Sequence, residues 1–491
     1  MSFRQAIGDE PRGVSRTTRG FQPWLGALIV AVAATVGSHV LLRFGGLEMF
    51  AFALAGIFAA TLFAIASFRN TLIPFIIWIV AVSGFRFLWF ISSPVLPDLY
   101  LDRMMLIWLG VIFLVKQVAL RRKLRGPYML DGLILMHGLY LYVRVYVQGL
   151  EYLQPWFMSI AIPYFAYFFA KNIVDDEKKI RTLFWALVVL TMYYSFTAIM
   201  EKYRIDSLIF PKSILEYKEL EFKGRSIGPF AQAAVFGTVF ALVIPLHLYF
   251  LATLRSQAGR LLIGASLLAS FAGLYFTYTR GGWLAGVAGL AGAVLLNRRR
   301  FLPLVAPAIV AAALLGTFVL GLGQDEFMKK RVENEDTLGS RVGTAVTTLR
   351  VWRDYPIFGV GFFQFRGIRE QYVAPVEAPL LGTIRFNQFR HNPIHDIYLG
   401  PLAEDGLVGM ALQFAIYFLI LKAALDIYRR RREDDHFAQY MLPALGGMIV
   451  AYFVGGLAFD YRYFSVMGAL FYMAAGIIAG YKRPERSHVP S

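Results

Sequence analysis

Apolar runs of about 20 residues recur along this chain, separated by short polar and often basic connections. Runs of that length suit helices that cross a bilayer. The pattern predicts helices near 24 to 42, 46 to 68, 73 to 92, 104 to 120, 128 to 147, 153 to 171, 182 to 200, 229 to 253, 261 to 279, 282 to 297, 302 to 322, 398 to 421, 440 to 458 and 464 to 481. The fifth is the most polar, with Asp131, His137 and Arg144. The expected class is all-α: a polytopic bundle of about 14 transmembrane helices, or about 12 to 14. It forms one membrane domain, residues 24–481, between tails at 1–23 and 482–491.

Lysine and arginine in the short connections orient the spans. Arg121 to Arg125, Lys178 to Arg181, Arg255 with Arg260, Arg298 to Arg300, Arg429 to Arg432 and Lys482 to Arg486 fall on one side. The positive-inside rule makes that side cytoplasmic, and both termini with it. Two longer loops, 201–228 and 323–397, then face outward. In the second, Val342, Val346, Leu349, Val351 and Trp352 predict an amphipathic helix on the membrane or the bundle, broken by Pro356, Gly359 and Gly361. A stretch that long with no span of its own usually carries function.

Composition fits a bilayer solvent, with 57% hydrophobic and 16% charged residues. The net charge of +17 lies at helix ends, where it sets topology and meets anionic lipid, so nucleic acid is not an expected partner. Cysteine is absent, which excludes disulfides and thiol chemistry. Residues 1–20 are polar and arginine-bearing with no apolar core, as expected of a cytoplasmic tail and not of a cleaved leader.

Three positions on the outer side carry candidate chemistry. Arg225 precedes a helix, where a cation and backbone N–H groups would together hold an anion. Arg280, in Thr279-Arg280-Gly281-Gly282, sits between two spans at the outer boundary, against the positive-inside bias, and its two glycines leave room for a backbone or a ligand. His395 stands at a helix mouth before Asp396, which is placed as an N-cap. His391-Asn392 offers a second imidazole, but no third ligand at suitable spacing, so neither a metal nor a cofactor is expected.

The block His395-Asp396, nine residues, Gly406, two residues, Gly409 resembles the signature of the O-antigen ligase and O-antigen polymerase superfamily. Arg280-Gly281-Gly282 is similar to that family's Ser-Arg-Gly turn. Arg225 with Gly228 and Phe230 resembles its upstream arginine segment, and Arg341 with Trp352, Pro356, Gly359 and Gly361 the stretch ahead of its histidine. The likeness covers roughly residues 220 to 410. The distance to Gly406 selects His395 over His391, although His391-Asn392 has the commoner dipeptide.

The resemblance implies a GT-C-like membrane glycosyltransferase at the periplasmic face of the bacterial inner membrane. It would move a glycan from undecaprenyl diphosphate to an acceptor hydroxyl with inversion and no metal. His395 would be the base and Arg280 and Arg225 would hold the diphosphate, with Arg341, Asp396, Tyr398, His391 and Glu404 expected to contact substrate. The partners implied are that donor, an acceptor glycolipid or glycan, and membrane lipid. Ligation onto lipopolysaccharide, polymerisation of a polysaccharide and O-glycosylation of protein all stay open. So does a transporter or flippase of lipid-linked sugars, for which Arg86, Asp131, His137 and Arg144 are the embedded residues.

Overall fold

The structure is a computed structural model that describes residues 47–88, 90–91, 98–121, 124–126, 128–216, 224–314, 317, 336–378, 382–384, 394 and 396–481. The chain divides into two compact units, 1–70 and 71–491. The smaller contributes one described helix, α1 (Leu47–Arg69), which ends on a basic residue.

The larger unit is built from helices: α2 (Leu72–Val80), α3 (Leu101–Ala119), α4 (Met129–Gln148), α5 (Ile162–Ile173), α6 (Glu177–Tyr203), α7 (Ala233–Thr253), α8 (Gln257–Phe276), α9 (Arg280–Leu296), α10 (Arg298–Leu314), α11 (Asp336–Asp354), α12 (Leu399–Arg429), α13 (Leu442–Gly456) and α14 (Ser465–Gly480). A described helix thus lies within each expected span from 46 to 68 onward, ending at 80 in the one at 73 to 92 and at 314 in the one at 302 to 322, while the one expected at 24 to 42 lies outside the described residues. Six of the described helices, α4, α6, α7, α8, α12 and α13 with the turn before it, are long and apolar enough to cross a membrane. The only described strands are two short antiparallel pairs, Phe90–Ile91 with Leu99–Tyr100 and Val376–Ala378 with Gly382–Ile384, which the apolar periodicity did not predict.

Helix α7 is the hub. It is apolar on every side and buried along nearly its whole length, and it packs against α8, α9 and α13. Small residues bring these backbones together: a methyl group on Gly447 of α13 would lie 2.6 Å from the Gly289 carbonyl of α9. In a bilayer, where apolar association gives little drive between helices, such close approach is a main source of packing energy. Two helices are interrupted. After α2 the backbone leaves helical geometry at Ser83 and Gly84, against Pro229, and α12 breaks at Gly406.

One end of this unit gathers the basic connections. The Arg125 backbone N–H bonds Asn172 at 3.0 Å, Arg431 reaches the Leu296 carbonyl at 2.5 Å, and Tyr481 bonds Asp435 at 2.9 Å. The turns that lead into α9, α12 and α14 share the opposite end. Gly281 there rests on Ala458, and the Ile397 N–H bonds the Gly456 carbonyl at 2.9 Å.

Candidate functional site

Between α8 and α9 the chain makes a tight elbow, Thr277-Tyr278-Thr279, with Tyr278 in the left-handed region at φ 48 although it carries a side chain. Backbone strain of this kind costs on the order of 1–3 kcal/mol and persists only where neighbours over-determine it. They do so here. Arg225 Nε donates to the Thr277 carbonyl at 3.0 Å and Nη2 to the Thr279 hydroxyl at 2.9 Å. The Ser226 N–H bonds the Phe276 carbonyl at 2.9 Å, and Lys202 Nζ donates to the buried Tyr278 hydroxyl at 2.5 Å. Arg280 follows as the first residue of α9 and is exposed. A cation at a helix N-terminus opposes the helix dipole, so Arg280 adds to a positive end instead of neutralising one.

The backbone N–H groups after Arg225 are not open to an external anion. Those of Ile227 and Gly228 both donate to the carboxylate of Glu201, each at 2.8 Å, and Glu201 is only 2% exposed. The protein supplies its own anion there, which corrects the expectation that cation and N–H groups act together and leaves the guanidinium. The glycines after Arg280 also have a settled role: Gly282 meets the Gly237 backbone and Gly281 meets Ala458, so both serve helix packing.

At the same end, a cavity of about 220 Å³ opens between α11 and the start of α12, lined by Arg341, Thr344 and Ala345 on one side and Asp396 and Leu399 on the other. Leu457, next to the Ala458 that packs on Gly281, completes the wall. Asp396 caps α12, since its Oδ1 accepts the Tyr398 N–H at 2.6 Å and the Leu399 N–H at 3.0 Å. Burial holds its carboxyl above the ordinary range, although those two N–H donors pull it down. Tyr398 turns inward, its hydroxyl donating to the Phe453 carbonyl at 3.0 Å and its ring stacked on Phe414.

About two turns further on, α12 breaks at Gly406 (φ 68, ψ −167). A broken helix leaves carbonyl and N–H groups without partners, and the segment 356–361 satisfies them. Val360 and Gly361 N–H groups donate to the Ala403 and Glu404 carbonyls, each at 2.9 Å. The Leu407 and Val408 N–H groups donate to the Pro356 and Ile357 carbonyls at 2.9 and 3.1 Å. Arg144 Nη2 adds a bond to the Glu404 carbonyl at 3.1 Å, and the Tyr140 hydroxyl one to the Asp405 carbonyl at 2.8 Å. Beneath the break, Arg462 binds Glu404 and Asp460 at 2.7 Å each, with Asp405 at 3.9 Å.

The structure therefore brings Arg225, Arg280, Arg341 and Asp396 to one end of the larger unit. It separates Glu404, which is 2% exposed and bonded to Arg462 and to the Phe365 N–H, from the cavity. His395 and His391 lie outside the described residues, while Ile394 and Asp396, on either side of His395 in sequence, both line the cavity. The amphipathic helix expected ahead of Pro356 is α11. Its Val342 and Val346 pack on the Val376–Ile384 ribbon, and its Val351 on Ile394 and Ala403.

Sequence reasoning missed Glu201, Lys202 and Arg462. The signal that singled out Arg280, a positive charge at an outer helix connection, applies equally to Lys202 and to Arg462 between the last two spans. Glu201 carried no such signal, because its partners are backbone N–H groups.

Residues 265–414 match the family model described as O-antigen ligase. The chain carries an O-antigen ligase domain. That match, with six described helices long and apolar enough to cross a membrane, supports a helical, multi-pass membrane protein of the glycan ligase and polymerase kind in general. The O-antigen ligase match contains Arg280, Arg341, His395, Asp396 and Gly406 but not Arg225, which the structure ties to it through Thr277 and Thr279. No curated protein matches the chain.

Proposed function

We propose that this chain transfers a glycan from undecaprenyl diphosphate to an acceptor hydroxyl at the periplasmic face of the inner membrane, with inversion and without a metal. The supporting observation is that Arg225 is bonded into the elbow carrying the exposed Arg280, at the same end as the Arg341 and Asp396 cavity. In this reading His395 takes the proton of the acceptor hydroxyl as its oxygen attacks the anomeric carbon. The bond from that carbon to the diphosphate breaks, and the lipid diphosphate leaves with the electron pair. Charge builds on the leaving oxygens, and Arg280 meets it with a fork suited to phosphate. Arg225 fixes the elbow and adds positive potential. Asp396 sets the start of α12, and Arg341 faces the same cavity toward the acceptor.

Ligation of a finished glycan onto a glycolipid acceptor of the lipopolysaccharide type is the first reading, because the matching family model is a ligase, with polymerisation of lipid-linked repeats second. The test supplies purified protein with a diphosphate-linked glycan and a panel of acceptors, comparing wild type with His395→Ala. Product from wild type alone supports the mechanism, and the acceptor used assigns the subfamily. Equal turnover by both removes His395 from the reaction.

A further inference from the structure

The last turn of α6 meets both segments that carry an outer elbow arginine. Glu201 accepts the Ile227 and Gly228 N–H groups, just after Arg225. Lys202, the next residue, donates to the Tyr278 hydroxyl at 2.5 Å, and its ammonium lies 5.0 Å from the centre of the Tyr278 ring and 5.7 Å from that of Phe276. Tyr203 follows with its ring edge-on to Phe276, 6.3 Å between centres. Arg204 then enters the left-handed region at φ 57 and ends the helix. One turn before Lys202, the Ala198 carbonyl accepts the Ser226 hydroxyl at 3.0 Å.

These contacts close a triangle. The bonds from Arg225 to Thr277 and Thr279, and from the Ser226 N–H to the Phe276 carbonyl, form its third side, so the end of α6, the 225–228 segment and the 276–280 elbow are each tied to the other two. Two of the three carry cations, which repel at close range, and the elbow is strained at Tyr278. Held by the 225–228 segment alone, the elbow would keep freedom to turn about that one side. The attachment through Lys202 removes it. We infer that Glu201 and Lys202 are positioning residues that fix Arg280 relative to Arg225, so that the diphosphate meets one geometry. This rests on the glycosyl-transfer reading above. Neither residue has to touch substrate for this, since Glu201 is 2% exposed and Tyr278, the partner of Lys202, 1%. Both also lie outside the residues 265–414 that match the family model.

The test has an exchange arm and a turnover arm. In lipid nanodiscs, Lys202→Met and the milder Tyr278→Phe should each speed hydrogen exchange across 276–280 about fivefold or more, and Glu201→Ala should do the same across 226–228. Lys212→Met removes an ammonium bonded to the Asp206 and Ser207 carbonyls in the same outer connection, and should leave both segments at the wild-type rate. Unchanged exchange at the elbow in both Lys202→Met and Tyr278→Phe overturns the inference, whatever the turnover. For turnover, single-turnover rates are followed over hours with an undecaprenyl diphosphate-linked glycan. A displacement near 1 Å at Arg280 should slow Lys202→Met and Tyr278→Phe about 10- to 100-fold each. The double variant should lose no more than either, because both remove one bond. Added to Arg280→Ala, Lys202→Met should cost less than about twofold more, since the group it positions is already gone. A merely structural role predicts losses that multiply in the Arg280→Ala background, and that result refutes positioning. Absence of turnover by wild type would instead refute the glycosyl-transfer reading, and the exchange result would still decide whether the end of α6 holds the elbow.

Discussion

Gly359 and Gly406 face each other backbone to backbone, each at φ 68. A methyl group on Gly406 would lie 2.5 Å from the Gly359 N, and one on Gly359 would lie 2.6 Å from the Gly406 N. Both glycines serve one junction, where the segment from Pro356 to Gly361 replaces the hydrogen bonds that α12 loses at its break. Either alanine substitution should cost on the order of 1–3 kcal/mol from the left-handed backbone alone, with the backbone clash added. Because the two strain the same contact, the double variant should lose clearly less than the sum, measured as a double-mutant cycle in thermal unfolding. Strict additivity would show that the segment and the break are independent.

Arg462 holds this junction from below. It is nearly buried and lies between Glu404 and Asp460, both buried. Removing one partner of such a group strands a charge and typically costs about 3–5 kcal/mol. Arg462→Met should therefore destabilise strongly, and adding Glu404→Gln should recover part of the loss. A denaturation series of the two single variants and the double variant checks this, and no recovery in the double would mean that Glu404 is held by its backbone setting instead.

The helices were legible because a bilayer imposes one requirement on every span, a long apolar stretch that satisfies its own backbone. What interrupts them was not. The apolar pattern runs straight through Gly84 and Gly406, and the reason for each break lies far away in sequence, in Pro229 and in the Pro356 to Gly361 segment. Arg225 and Arg280 could be read as neighbours of a common site because both are cations in outer connections. That Arg225 spends its Nε and one Nη on the elbow, and that Glu201 fills the N–H groups beside it, depends on pairings that no spacing encodes. The Val376–Ile384 ribbon escaped notice because each strand has only three residues, too few for an alternation to register.

Asp396 gives the cap a pH signature. Its carboxyl is raised by burial, so the neutral form is favoured in the folded state. The resulting stabilisation is complete below the ordinary carboxyl range near about 4 and is lost as pH rises through the raised value. At neutral pH the ionised group is therefore a cost. Asp396→Asn keeps an oxygen for the Tyr398 and Leu399 N–H groups, so it should melt above wild type at pH 7, and the difference should vanish as pH falls toward about 4. A wild type that is the more stable of the two at pH 7 would contradict the burial argument.

The two elbow arginines should separate by what each loses. Arg280 is exposed, and its charge is proposed to meet the leaving diphosphate, so Arg280→Ala should lower turnover about 10² to 10³-fold with little change in melting temperature. Arg225 is bonded to the Thr277 carbonyl and the Thr279 hydroxyl, and hydrogen bonds from a charged donor contribute about 1.5–3 kcal/mol each. Arg225→Ala should therefore lose both turnover and stability. Arg225→Lys keeps the charge but has no planar fork to reach both oxygens, so it should recover little of either. Matched melting curves and single-turnover rates on the three variants test this. If Arg225→Lys turned over at the wild-type rate, charge alone would be its contribution and the bracing role would fall.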